Sequence, residues 1–174
     1  MLLRGINLGP NRRIAMPALR DLLGGSGLED VRTYVQSGNV VLSSNAPPGE
    51  LAAQCEQLIA QRFGFEVEVV TRTRDQLAEI VSRDPLAGVA ENPKRYVVHF
   101  LSHEPDGEAV SILAELAEAP ERVLAIGREL YSWHPDGIAR SRLAAQLARQ
   151  GSLGATVTAR NWSTVTKLLA MADE

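Results

Sequence analysis

Apolar residues recur along the chain in two rhythms, an alternation typical of strands and a three-to-four spacing typical of helices. Leu2, Leu3 and Ile6 predict a short first strand, cut by a loop from Asn7 to Arg13 that carries Gly9, Pro10 and Asn11. Met16, Leu19, Leu22 and Leu23 then share one helix face, with Pro17 suited to the first turn and Gly24, Gly25 and Gly27 closing a helix expected over 15–24. Val31, Thr33 and Val35 alternate with polar neighbours, Gln36 to Asn39 turns the chain, and Val40 to Leu42 runs on to Ser44, which is a hairpin signal. Leu51, Cys55, Leu58 and Ile59 mark a helix from Pro47 to about Gly64, and Val67, Val69 and Val70 a fourth strand. The order is β-α-β-β-α-β, that of ferredoxin-like domains.

The second half reads less regularly. Leu77, Ile80 and Val81 place a helix over 74–82, and Pro85 to Pro93 is a connector rich in Ala, Pro and Gly. Tyr96, Val98 and Phe100 alternate as a strand, Val110, Leu113 and Leu116 mark a helix, and 123–126 with 129–133 bracket Gly127-Arg128 as a second hairpin. Helices over 141–150 and 162–171 follow. The expected fold class is therefore α+β, with two α/β subdomains. The first, residues 1–73, is ferredoxin-like; the second, residues 74–174, is helix-strand-helix-hairpin-helix-helix and packs on the first across a boundary soft enough for the pair to count as one domain.

At 174 residues the chain is long enough for a filled core without disulfide or metal staples. Its one cysteine, Cys55, excludes an internal disulfide and a Cys-ligated zinc site, and points to a reducing cytoplasm. No apolar run reaches the roughly 20 residues of a membrane span, and the first nine residues do not form a signal peptide. The formal net charge is −3, and neither half carries a basic excess, so nucleic acid is not an expected partner. His99, His103 and His134 stand in no metal-ligand spacing, Ser37 lacks a nucleophile-elbow context, and Cys55 lies on an inward helix face. The sequence names no metal, cofactor or oligomeric state.

Of the 18 basic residues, 16 are Arg, the side chain suited to two-pronged contact with phosphate or carboxylate. Four polar stretches place some of them beside Gly, Asn or Ser at loops and helix starts. In the loop after the first strand these are Arg4, Asn7, Asn11 and Arg12; in the hairpin turn, Gln36, Ser37 and Asn39. Arg140, Ser141 and Arg142 precede a predicted helix, with Ser141 as its N-cap. Arg160, Asn161 and Lys167 sit around the last helix, which Thr158 or Asn161 would cap and Trp162 would anchor. Together they suggest a shared Arg- and Asn-lined cleft for a small anion, phosphate-bearing or nucleotide-like. Two other classes compete: an enzyme using the same donors, and a protein- or RNA-interaction module using the sheet, the latter short of exposed aromatics.

These same stretches, Leu2 to Gly9, Thr33 to Val41, Pro135 to Leu143 and Thr158 to Leu168, resemble the domain-of-unknown-function 1697 family of bacterial proteins. The resemblance covers essentially the whole chain. It implies α/β subdomains with a ferredoxin-like N-terminal part and no established activity or catalytic residue. This chain departs from the family pattern in starting at the Leu-Leu-Arg-Gly-Ile-Asn stretch without preceding residues, and in having Arg142 where a Lys is usual.

Overall fold

The computed structural model describes residues 1–149, 151 and 153–174. The elements among them are β1 (Leu2–Leu3), α1 (Met16–Gly25), β2 (Glu29–Tyr34), β3 (Asn39–Ser43), α2 (Pro48–Phe63), β4 (Val69–Val70), α3 (Arg74–Arg83), β5 (Tyr96–Leu101), α4 (Gly107–Leu116), β6 (Arg122–Ile126), β7 (Glu129–Trp133), α5 (Arg142–Leu147), β8 (Val157–Asn161) and α6 (Trp162–Ala172). It is a mixed α+β chain with two four-stranded antiparallel sheets and six helices among the described residues. It divides into two compact units, residues 1–77 with 168–174 and residues 78–167.

The sheet of the first unit has the order β2-β3-β1-β4. Leu2 is opposite Asn39 on one side and Val70 on the other, so two residues suffice to join the hairpin to β4. β1 ends at Leu3, and beyond it Gly5 and Asn7 adopt positive φ, +64° and +57°, outside the extended region; Ile6 is buried but lies outside the strand. Leu3, Ile14, Leu19, Leu23, Cys55 and Ile59 are the centre of the core on which α1 and α2 close. Gly38 in the β2–β3 turn must be glycine twice over: its φ is +75°, and a Cβ there would stand 2.7 Å from the Leu3 Cβ.

The sheet of the second unit has the order β6-β7-β5-β8. β5 is its spine, pairing with β7 (Val98 opposite Tyr131) and with β8 (Val98 opposite Arg160). β8 corrects the expected element order, which had no strand between the last two helices. Residues Thr156 to Arg160 alternate, but Thr158 and Arg160 occupy the buried positions, so the period-2 signal was carried by polar side chains and did not register as apolar. Helix α5 is likewise shorter than the expected 141–150, ending at Leu147; Gln150 lies outside the described residues. The core here is built on Leu101, Leu113, Leu130, Leu143, Leu147 and Leu153, and Trp162 stacks on Tyr96 with ring centres 4.6 Å apart.

Candidate functional site

The polar stretches of the first unit hold one another in place. Asn7 bridges loop and turn: its Oδ1 accepts from the Ile14 N–H at 3.0 Å, while its Nδ2 donates to the Ile14 carbonyl at 2.9 Å and to the Gln36 carbonyl at 2.7 Å. Asn39 is fully buried and donates to the Tyr34 carbonyl at 3.0 Å and to Ser37 Oγ at 2.9 Å. Arg4 pairs with Glu68; Arg12, at φ +60°, donates to the Glu66 carbonyl and lies over the Phe65 ring. The side chains of Asn11 and Gln36 are exposed. Loop and turn thus form one locked piece, and most of their donors are used in locking it.

In the second unit the expected cap roles divide cleanly. Ser141 caps α5 by accepting from the Ala144 N–H at 2.9 Å. Asn161 rather than Thr158 caps α6, its Oδ1 accepting from the Thr164 N–H at 2.9 Å and from the Ser163 hydroxyl at 3.0 Å. Thr158 instead sits inside β8, where it accepts from the buried Arg160 guanidinium at 2.9 Å; burial lowers the Arg160 pKa to about 10. Arg142 reaches Glu118 at 3.6 Å, and Arg140 and Lys167 are exposed. With only six residues, α5 offers little dipole for the anion that Arg140 and Arg142 suggested.

Two of the three histidines, His99 and His134, belong to a buried chain, while His103 is exposed. His99 on β5 lies 2.9 Å from Ser132 Oγ on β7, which lies 3.0 Å from His134 Nε2; His134 Nδ1 lies 2.8 Å from Glu121 Oε1 and 3.3 Å from Ser141 Oγ. With a neutral His134, Nδ1 donates to Glu121 and Nε2 accepts from the Ser132 hydroxyl, whose oxygen accepts from His99 Nε2; with that ring protonated, the Ser132 hydroxyl donates to His99 instead. Burial, with His134 second, lowers the His99 pKa to about 3. The connectivity is that of a nucleophile, base and carboxylate. Ser132 is 0% exposed and His134 2%, and the row satisfies polar groups within the core.

Open polar surface of another kind lies in the first unit, in a cavity of about 450 Å³. Its walls are β3 and the following Ser44 to Ala46, the start of α2 at Pro48, and Thr71 to Arg74 leading into α3. Arg32, Arg72 and Arg74 line it. Arg72 is buried in the wall and donates to the Thr71 carbonyl at 2.8 Å. Thr73 and Gln76 cap α3 reciprocally, the Thr73 N–H on Gln76 Oε1 and the Gln76 N–H on Thr73 Oγ1. Arg32 pairs with Glu174 at 2.8 Å; Arg74 pairs with Asp173 at 2.7 Å and Asp75 at 3.2 Å. None of these three arginines stood out in the sequence. The available signal was the run Thr71-Arg72-Thr73-Arg74 immediately before a predicted helix. Among the described residues no cluster of His, Cys, Asp or Glu could hold a metal, and no helix is long and apolar enough to cross a membrane.

A family model described as "Protein of unknown function (DUF1697)" matches residues 1–131. The chain belongs to this family. The DUF1697 match takes in Arg32, Arg72 and Arg74 and stops within β7. Among solved structures, the conserved bacterial protein SP0830 from Streptococcus pneumoniae is similar over 98% of this chain and 96% of its own, with a TM-score of 0.75 and 22% identity. A likeness at that identity carries the fold. No curated protein matches the chain.

Proposed function

We propose that this DUF1697 member binds a small anionic ligand, phosphate-bearing or carboxylate, in the cavity of its first unit. The observation that carries the reading is the convergence of Arg32, Arg72 and Arg74 on one cavity of about 450 Å³. That volume suits a metabolite-sized molecule. Arg presents a planar fork of donors to phosphate or carboxylate, and the starts of α2 and α3 at the wall add the positive ends of two helix dipoles. Of the polar stretches, Asn7, Ser37, Asn39, Ser141 and Asn161 serve the fold in this reading, and the exposed Arg140, Arg142 and Lys167 are solvated. The element order β-α-β-β-α-β with strand order β2-β3-β1-β4 supports a ferredoxin-like reading of the first unit, and β6-β7-β5-β8 extends the same plan to the second. The buried free thiol of Cys55, its pKa raised to about 11 by burial, accords with a cytoplasmic protein.

A thermal-shift panel of nucleotides and phosphorylated metabolites in phosphate-free buffer tests the reading. A ligand at one hundred times its dissociation constant adds about 2.7 kcal/mol, so a true ligand raises the midpoint by several degrees. The same ligand should lose its effect on Arg32→Gln and Arg72→Met. A flat panel on the wild type, or an unchanged shift in both variants, overturns the reading.

A further inference from the structure

Two of the cavity's three arginines, Arg32 and Arg74, are already held by carboxylates, and two of those carboxylates come from consecutive residues. Asp173 and Glu174, directly after α6, engage Arg74 and Arg32 at 2.7 and 2.8 Å. Their Cα atoms are only about 3.8 Å apart, so two anionic groups on a short tether satisfy two arginines on separate elements, β2 and α3. Ala172, the residue before them, belongs to the cavity wall.

Resting on the anion-binding reading above, we infer that the cavity takes a ligand with two anionic groups joined by a short chain, a diphosphate or a short dicarboxylate, and that Asp173 and Glu174 act as its internal competitor. The pairs are suited to displacement. The Asp173 and Glu174 side chains are 45% and 59% exposed, and the Arg side chains 53% and 36%. Exposed ion pairs of this kind contribute little each, so an entering dianion gives up only a modest amount to remove them. Once they leave, Arg32 and Arg74 face the cavity beside the buried Arg72. Asp75 stays at 3.2 Å from Arg74, which keeps that guanidinium oriented without filling the site.

Isothermal titration of the full chain with inorganic pyrophosphate, glutarate and inorganic phosphate, at low ionic strength, decides it. Three proteins are compared: the wild type, D173N/E174Q, and D173A/E174A, whose alanine side chains accept no hydrogen bond from Arg. Far-ultraviolet circular dichroism confirms that each remains folded. Both acid-free variants should bind pyrophosphate or glutarate about three- to tenfold tighter than the wild type. Inorganic phosphate, with one anionic group, should bind at least about tenfold more weakly than the better of the two. The preferred dianion identifies the source, phosphate ester or carboxylate. Equal or weaker binding by both acid-free variants overturns the competitor while leaving the cavity reading intact. Phosphate binding as tightly as pyrophosphate and glutarate overturns the two-group ligand. No binding to any of the three proteins removes both this inference and the reading beneath it.

Discussion

The two four-stranded sheets share one strand order, second-third-first-fourth, yet differ in where part of their polar side chains lie. In the second unit, polar side chains are consumed internally: His99, Ser132, His134 and Glu121 satisfy each other in a buried row. In the first unit, Arg32, Arg72 and Arg74 face a cavity, and two of them are held only by exposed carboxylates. The hairpin turns differ in the same sense. β6 and β7 are joined through the two residues Gly127 and Arg128, whereas β2 and β3 need Val35 to Gly38, tied by Asn7 and pressed against β1. A buried polar row contributes to stability and reaches no ligand. Charged groups on an open cavity contribute little to stability and are available to one.

The largest contrast is expected between the two turn glycines. Gly38→Ala puts a methyl 2.7 Å from Leu3 Cβ at φ +75°, combining left-handed strain with overpacking, and should cost about 2–4 kcal/mol. Gly127→Ala, at φ +58° in open space, bears the strain alone, about 1 kcal/mol. Urea denaturation of both variants measures the difference; equal losses would show that the first turn is no more constrained than the second.

Next in size is the buried row. Ser132→Ala leaves ring nitrogens of both His99 and His134 without their partner and should destabilise by about 2–3 kcal/mol. Arg32→Gln, breaking an exposed pair, should cost under about 1 kcal/mol. Reversal of that order in denaturant midpoints would sink the assignment of stability to one unit and availability to the other.

The row also predicts a pH dependence whose sign is fixed. His99 has its pKa lowered from 6.5 to about 3, so between those values the unfolded chain binds a proton that the folded chain refuses. Stability is therefore full above pH 6.5 and falls as the pH drops towards 3, by up to about 1.4 kcal/mol per unit. Carboxylates titrate in the same range, so the measurement is the difference between wild type and His99→Leu. The variant's stability should fall less steeply between pH 6.5 and 4.5. Identical slopes would mean that His99 takes up its proton in the folded protein.

Legibility in the sequence followed where the buried side chains are apolar. α1, α2 and the β2–β3 hairpin were readable because Leu19, Leu23, Cys55, Ile59 and Val40 repeat at the helix or strand period. β8 was not, since its inward residues are Thr158 and Arg160, and polar residues at buried positions look like loop. The His–Ser–His–Glu row was hidden for a different reason. Ser132 and His134 are two apart, but His99 and Glu121 join them only through sheet pairing, which spacing cannot supply. The cavity arginines illustrate the same limit: Arg32 and Arg72 are 40 positions apart in sequence and meet around a void that exists only in the fold.

The smallest expected effect tests whether the elaborated turn and the cavity are one device or two. Val35 has φ +50°, a left-handed conformation that is rare for a β-branched residue, and the residue is 51% exposed. Little packing is lost by replacing it, while Asn tolerates that conformation, so Val35→Asn should stabilise the protein by up to about 1 kcal/mol, or about 2–4 °C in midpoint. Val35 does not line the cavity. If its strain belongs only to the turn, pyrophosphate affinity by titration stays as in the wild type while the midpoint rises. A gain in stability accompanied by weaker binding would mean that the strained turn presets β3, the shared element through which the hairpin meets the cavity wall, and the two features would then have to be treated as a single site.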